Sequence, residues 1–225
     1  MHKKQPMRGN TDFRFLPILL FILSCLLGTT ACLSYGYRPK TGDLLFVADT
    51  RSDFSRAIVQ ATAQGDSLKF SHVGIVCLEN GSPYVLEASS EHGVVKTGWP
   101  DFLEQAPSVE GKPGIVVMRV RKPFPVKDAI RRAESHLGEA YDWTFLPDNG
   151  KMYCSELVYE AYRFKDGSPI FSARPMNFRD AEGNLPAFWK TLFEKEGLPV
   201  PEGVPGTNPN DMRKEACLVE VDRLF

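Results

Sequence analysis

The chain has no marked surplus of either charge: 27 Lys and Arg stand against 28 Asp and Glu in 225 residues, a formal net charge of -1. Without a strong basic excess it is not built to hold a nucleic-acid backbone by charge, and no nucleic-acid partner is expected. The spacings that bind metal are missing too. Its 5 cysteines and 4 histidines form neither a Cys-x-x-Cys nor a His-Glu-x-x-His pattern, which argues against a structural or catalytic zinc. No glycine-rich phosphate loop occurs, so nothing points to a nucleotide, and no cofactor is expected. No internal repeat or long low-complexity segment divides the chain.

One prominent apolar run, from Phe15 to Leu27, lies near the N-terminus. It is shorter than the roughly 20 residues a spanning helix needs, and Pro17 interrupts it. Lys3, Lys4, Arg8 and Arg14 precede its apolar core, and Gly28, Thr29, Thr30, Ala31 and Cys32 follow, the order of a secretory signal. The small residues before Cys32 resemble a bacterial lipoprotein cleavage site, which makes residues 1–31 a leader and Cys32 an acylated first residue that anchors the chain to a membrane. Cys25, after Ile22, Leu23 and Ser24, is the rival lipidation site, and simple secretion with cleavage before Cys32 fits the same residues. Each alternative places the protein in the cell envelope, anchored or periplasmic. Loss of the leader removes four basic residues and one acidic one, so residues 32–225 carry a net charge of -4 over 194 residues, enough for one domain with a substantial core.

Chemistry enters at Cys154, in the run Met152, Tyr153, Cys154, Ser155, Glu156, Leu157, Val158. Leu157, Val158, Ala161 and Tyr162 follow Cys154 by three, four, seven and eight residues, the spacing of one buried helix face. The cysteine therefore opens the helix on its inward side. Unpaired N–H groups and the positive end of the helix dipole favour a thiolate there. A distant histidine, His72, lies in the strand-like run Phe70, Ser71, His72, Val73, Gly74, Ile75, Val76, and a cysteine with a histidine elsewhere in the chain is a nucleophile-and-base arrangement. Cysteine is also among the most buried residue types, and the flanking motifs decide against a merely structural role.

Three pieces occur in order: Ser71, His72, Val73, Gly74, Ile75; then Tyr141, Asp142; then Tyr153 to Val158. Together they resemble the permuted papain-like cysteine hydrolases of the YiiX/YaeF type, relatives of the NlpC peptidases, over most of the mature chain. The histidine precedes the cysteine, the order of the circularly permuted branch. The resemblance implies an α+β, circularly permuted papain-like (NlpC-type) fold, an antiparallel sheet packed against the helix that carries the cysteine. It also implies a Cys–His pair steered by a third polar group, and a tyrosine near the oxyanion, which fall on Cys154, His72, Glu87 and Tyr141.

Glu87 can be reached independently. His72 to Leu78 and Tyr84 to Ala88 read as two strands about Asn80-Gly81, the strongest short hairpin signal. A tight turn pairs Glu79 with Ser82 and Gly74 with Glu87, leaving His72 diagonal to Glu87 on one face. A register one residue longer, which Pro83 makes plausible, sends Glu87 to the other face and promotes Ser89. Gly74 either lets the cysteine helix approach or marks a bulge. Tyr141 and Tyr153 suit core positions as well, and Tyr141 gains a site role only from the resemblance. His136, in a charged helix, and His92, in a polar bend, are expected to face solvent, and Cys77 and Cys217 to be core residues that an oxidising compartment would allow to pair.

Strands are expected near 43–48, 72–78, 84–88, 92–96, 115–121 and 217–221, and helices near 53–64, 100–106, 126–137, 154–164 and 185–195. The Pro- and Gly-rich stretch 197–209 cannot continue a helix and reads as a loop, either a connection over the surface, the favoured reading, or a border of the site. The functional expectation is a cell-envelope cysteine hydrolase cleaving an amide bond, in peptidoglycan or a small peptide, through an acyl-enzyme. Two alternatives stay open: a thioester-forming lipid acyltransferase or esterase of the lecithin:retinol acyltransferase-like type, with a lipid-like acyl substrate, and a non-catalytic envelope binding module. Oligomeric state is not legible.

Overall fold

All four residues of β1 (Leu44–Val47) are apolar and buried, the composition of a strand covered on both faces. In the computed structural model, which describes residues 36–63 and 65–225, that strand lies inside a six-stranded sheet. Its partners are β2 (His72–Glu79), β3 (Ser82–Ser89), β4 (Gly93–Gly98), β7 (Ile115–Val120) and β10 (Leu218–Arg223). The order is β10-β7-β1-β2-β3-β4, and each neighbouring pair is antiparallel. Two short ladders stand apart: β5 (Ser108–Val109) with β6 (Lys112–Pro113), and β8 (Arg174–Pro175) with β9 (Pro205–Gly206).

The helices are α1 (Asp53–Thr62), α2 (Trp99–Gln105), α3 (Val126–Ser135), α4 (Cys154–Ala161), α5 (Ala187–Glu196) and α6 (Pro209–Arg213). Ser52 caps α1 by accepting the Ser55 N–H at 2.9 Å, the local signal that starts a helix at an otherwise polar run. Leu157, Val158, Ala161 and Tyr162 are fully buried, so the inward face of α4 is the one its spacing predicts. They join one core cluster with Val73, Ile75 and Cys77 from one face of β2, and with Ala129 and Ala133 of α3.

The main elements fall where the sequence places them. The short ladders and α6 were not expected, because two-residue strands and a one-turn helix among prolines carry no hydrophobic period. At the β2–β3 turn Asn80 and Gly81 both adopt positive φ, 50° and 84°, as a tight hairpin requires. Glu79 pairs with Ser82 and Ile75 with Leu86 without a slip, and Pro83 is taken into the ladder opposite Leu78.

Gly74 needs a correction. A Cβ there would lie 2.5 Å from Val85 Cγ1 and 3.4 Å from the Phe102 ring, so the space belongs to α2 and the neighbouring strand and not to the cysteine helix. Nor is there a bulge, since β1 and β2 pair continuously from Leu44↔Ile75 to Val47↔His72. Cys77 is buried as expected, but Cys217 is only half-buried, precedes β10, and both thiols are free. His136 is half-buried against Glu139 at 3.0 Å and does not simply face solvent. The leader and its candidate lipidation sites Cys32 and Cys25 lie outside the described residues. Among the described residues no helix is long and apolar enough to cross a membrane.

Candidate active site

His72 is the first residue of β2, at the end of the sheet, paired with Val47. Its side chain shares the Gly74 face and lies beside the Phe102 ring, with centroids 6.2 Å apart. Two residues upstream, the buried Asn210 holds the backbone of Phe70 on both sides: its Oδ1 accepts the Phe70 N–H at 2.9 Å and its Nδ2 donates to the Phe70 carbonyl at 2.7 Å. The approach to His72 is thus fixed by α6, an element the sequence did not reveal.

The hairpin register carries Glu87 to the diagonal position. Its Oε2 is 2.6 Å from His72 Nε2, and its Oε1 accepts the Thr97 hydroxyl of β4 at 2.5 Å. Ser89, the substitute, instead accepts the Glu91 N–H at 3.3 Å. Thr97 was missed, though β4 pairs it with Val85, two residues from Glu87, so a register carried one strand further would have found it.

Cys154 is the first residue of α4 and 3 % exposed. The segment before it is stapled by Asp142, which is fully buried. Asp142 Oδ1 accepts the Thr144 N–H at 2.8 Å and the Thr144 hydroxyl at 2.6 Å, and Oδ2 accepts the Leu146 N–H at 2.9 Å. Met152 N–H then bonds the Ala140 carbonyl at 3.2 Å and Asp142 N–H the Met152 carbonyl at 3.1 Å, which sets Tyr141 beside the start of α4. The Tyr153 hydroxyl is satisfied locally, accepting the Thr207 N–H at 3.1 Å. The Tyr141 hydroxyl has no hydrogen-bond partner among the described residues, and its ring packs on Phe54 and Trp143.

Electrostatics tie these groups together. Burial pulls the His72 pKa down, but hydrogen bonds to Cys154 and Glu87 and the negative charge of both outweigh it and raise it from 6.5 to about 10. Burial works against ionisation of Glu87, yet His72 and Thr97 hold its pKa below the usual value. Tyr141 is pushed well above 10 by burial and by the Cys154 charge, so its hydroxyl stays a donor. Burial, with Asp142 and Glu160 nearby, raises Glu156 to about 8, so at neutral pH this first-turn residue adds little negative charge near the sulfur.

Beside these residues opens a groove of about 660 Å³, lined by His72, Glu87 and Tyr141 and by the polar Asp49, Arg51 and Gln105. That is the size of an ordinary small-ligand site. His92, exposed as expected, stands on its rim. The structure therefore brings together Cys154, His72, Glu87 and Tyr141.

Residues 38–221 match the family described as permuted papain-like amidase enzymes, YaeF/YiiX, C92 family. The chain belongs to this family. It is 31 % identical to the protein YiiX of Escherichia coli K12 over 186 residues, 81 % of this chain and 84 % of YiiX. It superposes with a TM-score of 0.67 on the crystal structure of "metalloprotein yiiX" from Escherichia coli O157:H7, at 27 % identity, covering 83 % of this chain and 98 % of that one. Membership makes the chain a cysteine peptidase or amidase-type hydrolase with the permuted papain-like fold.

The word metalloprotein describes that Escherichia coli protein. Here no three His, Cys, Asp or Glu side chains among the described residues group to hold an ion. His72 Nε2 and both Glu87 oxygens are already committed to one another and to Thr97, so the donor set does not suit a resident metal, and no step below passes through one.

Proposed function

We propose that the protein hydrolyses an amide bond of a small peptide or peptidoglycan-type substrate through a thioester on Cys154, with His72 as base and acid, Glu87 as its orienting partner and Tyr141 as an oxyanion donor. The observation that carries this reading is the 2.6 Å contact of Glu87 with His72, whose pKa is raised by Cys154 at a helix start as well as by Glu87, with His72, Glu87 and Tyr141 lining an open groove. With Nε2 engaged by Glu87, Nδ1 is the ring nitrogen left for the sulfur. The Cys154 thiolate attacks the carbonyl carbon, and the C–S bond forms as the carbonyl electrons move to oxygen. The oxyanion is met by the Cys154 N–H, which has no carbonyl partner within the helix, and by the Tyr141 hydroxyl. The C–N bond then breaks while imidazolium His72 gives its proton to the departing amine. Neutral His72 next takes a proton from water, hydroxide attacks the thioester, and the C–S bond breaks to release the carboxylic acid and restore the thiolate–imidazolium pair.

The direct test is alkylation at pH 6. Iodoacetamide is expected to modify Cys154 ahead of Cys77, whose thiol burial and Glu79 push up to about 11, and ahead of Cys217, raised by burial and Glu215. His72→Ala is expected to slow labelling of Cys154. Peptide mapping that finds the three cysteines equally labelled, or no effect of His72, removes the pair.

The same reading places the enzyme in the cell envelope, held by an acylated Cys32 after loss of residues 1–31; the support is the order of basic, apolar and small residues at the N-terminus. Cys32→Ala is then expected to shift the protein from the membrane fraction to soluble extract. Unchanged fractionation with Cys32→Ala, and a shift with Cys25→Ala, assigns the anchor to Cys25 instead.

A further inference from the structure

Tyr37 and the residues that follow it sit at the end of the sheet opposite His72. Val47, the last residue of β1, pairs with His72 beside the groove, while Leu44, its first, follows directly on this segment. The segment is fastened in place: the Tyr37 hydroxyl and the Lys40 N–H both donate to Asp43 Oδ2, at 2.5 and 3.1 Å. Gly42 lies against Val126 and the Phe124 ring, in the stretch that joins β7 to α3.

Both stretches carry exposed bases. Arg38 and Lys40 come from the first and Arg121, Lys122 and Lys127 from the second, and none has an ion-pair partner among the described residues. Arg121 donates its Nε to the Leu218 carbonyl at 2.8 Å, which leaves its charge unopposed. The acids close by are already engaged: Asp43 by Arg119, Glu79 by Lys96 and Asp128 by Arg131. Asp101 has no base, and Asp166 stands next to Lys165, so the surplus at this end is positive. That runs against a net charge of -4 over residues 32–225. Like charges gathered without counter-charges repel, and a negative partner relieves them. Apolar groups share the surface. Half-buried Trp99 packs 6.0 Å from Tyr37, and Leu78, whose N–H donates to Thr41 at 3.1 Å, is 40 % exposed. Tryptophan, tyrosine and bases side by side suit a membrane–water interface.

We propose that this end of the domain docks on an anionic phospholipid surface, with the catalytic groove opening away from the bilayer. The length of chain that leads to it supports that partner: Cys32 stands five residues before Tyr37, at most about 18 Å of chain, so an acylated Cys32 brings this end to the membrane first. This support rests on the proposed anchor; the basic end does not. Val47 lies five strand residues beyond Gly42, about 17 Å, which exceeds the screening length of about 8 Å. The groove acids Asp49, Glu87 and Glu91 then stay clear of the repulsive field of the lipid. A substrate reaches them from the aqueous side, as a peptide or peptidoglycan fragment does and a bilayer lipid does not.

Vesicles of phosphatidylcholine, with and without about one-third phosphatidylglycerol, test this by co-sedimentation of the full chain. The ratio of the two affinities cancels whatever an acyl chain adds to both. It is expected to be about tenfold or more at about 0.1 M salt and to collapse at about 1 M. The triple variant Lys40→Glu, Lys122→Glu, Lys127→Glu, at exposed side chains that make no hydrogen bond among the described residues, is expected to lower the ratio at least fivefold. Lys69→Glu, Lys190→Glu, Lys195→Glu makes the same charge change elsewhere and is expected to keep it. Equal loss in both triple variants, or no preference for the anionic vesicles, overturns the surface. Tight binding of dextran sulfate without any preference among vesicles assigns this end to a soluble polyanion and overturns it as well. The iodoacetamide rate at Cys154 is expected to agree within twofold on and off the vesicles; a tenfold slowing on them means that the groove faces lipid and overturns the orientation. Unchanged fractionation of Cys32→Ala alongside the expected vesicle ratios strikes the anchor and leaves the docking surface standing.

Discussion

Cys154→Ala is expected to lower kcat/KM for a short peptide amide by on the order of 10⁴–10⁶-fold, and His72→Ala by a similar factor, because the thiolate and the imidazolium act as one unit. The double variant is expected to lose no more than the worse single one. That non-additivity is the informative part: without the sulfur, a histidine has nothing to activate, and without the histidine the leaving amine has no proton donor. Both residues stand at element ends, Cys154 opening α4 and His72 opening β2, so truncation at either leaves the apolar faces of those elements packed. Thermal unfolding of each variant is therefore expected to shift by far less than activity does. Loss of less than tenfold in the Cys154→Ala variant, or losses that multiply in the double variant, removes the pair from the mechanism.

The parts of the molecule legible in the sequence were those governed by a period or a turn. The 3.6-residue spacing after Cys154 fixed which face of α4 is buried, and Asn80-Gly81 fixed a register that brings Glu87 to His72, fifteen positions earlier in the chain. Tyr141 rested on resemblance alone, since an aromatic beside a helix start has no period to read. The groups that hold the site in place left weaker signals. Asp142 staples the loop that positions Tyr141, and Asn210 clamps Phe70 from a distance of 140 residues, contacts that exist only once the chain has folded. The stretch 197–209 left its two readings, surface connection and border of the site, undecided for a related reason: proline and glycine mark where a helix cannot continue, but not what the resulting backbone covers. Here it places Thr207 and the support of Met176 beside the nucleophile.

Glu87→Gln separates orientation from charge. The substitution keeps the volume and an oxygen near His72 Nε2 but removes the carboxylate, and with it one of the two negative groups that raise the His72 pKa to about 10. For the unaltered enzyme, kcat/KM is expected to fall as pH rises through about 10, where His72 loses the proton it must give to the leaving amine. In Glu87→Gln that alkaline limb is expected to move to lower pH, and the maximal rate to drop by about 10²–10⁴-fold, the scale seen when a triad carboxylate becomes an amide. Folding stability follows the same protons. A raised His72 pKa adds stability that is complete below 6.5 and fades as pH climbs through about 10, whereas the lowered Glu87 pKa adds stability above 4.5 that is lost as pH falls through its folded value. Thr97→Val, which takes away the hydroxyl bonded to Glu87 Oε1, is expected to act in the same direction as Glu87→Gln with a smaller effect. A Glu87→Gln enzyme with an unmoved alkaline limb and unaltered kcat/KM shows that His72 is held by something other than Glu87, and the orienting role passes to another group.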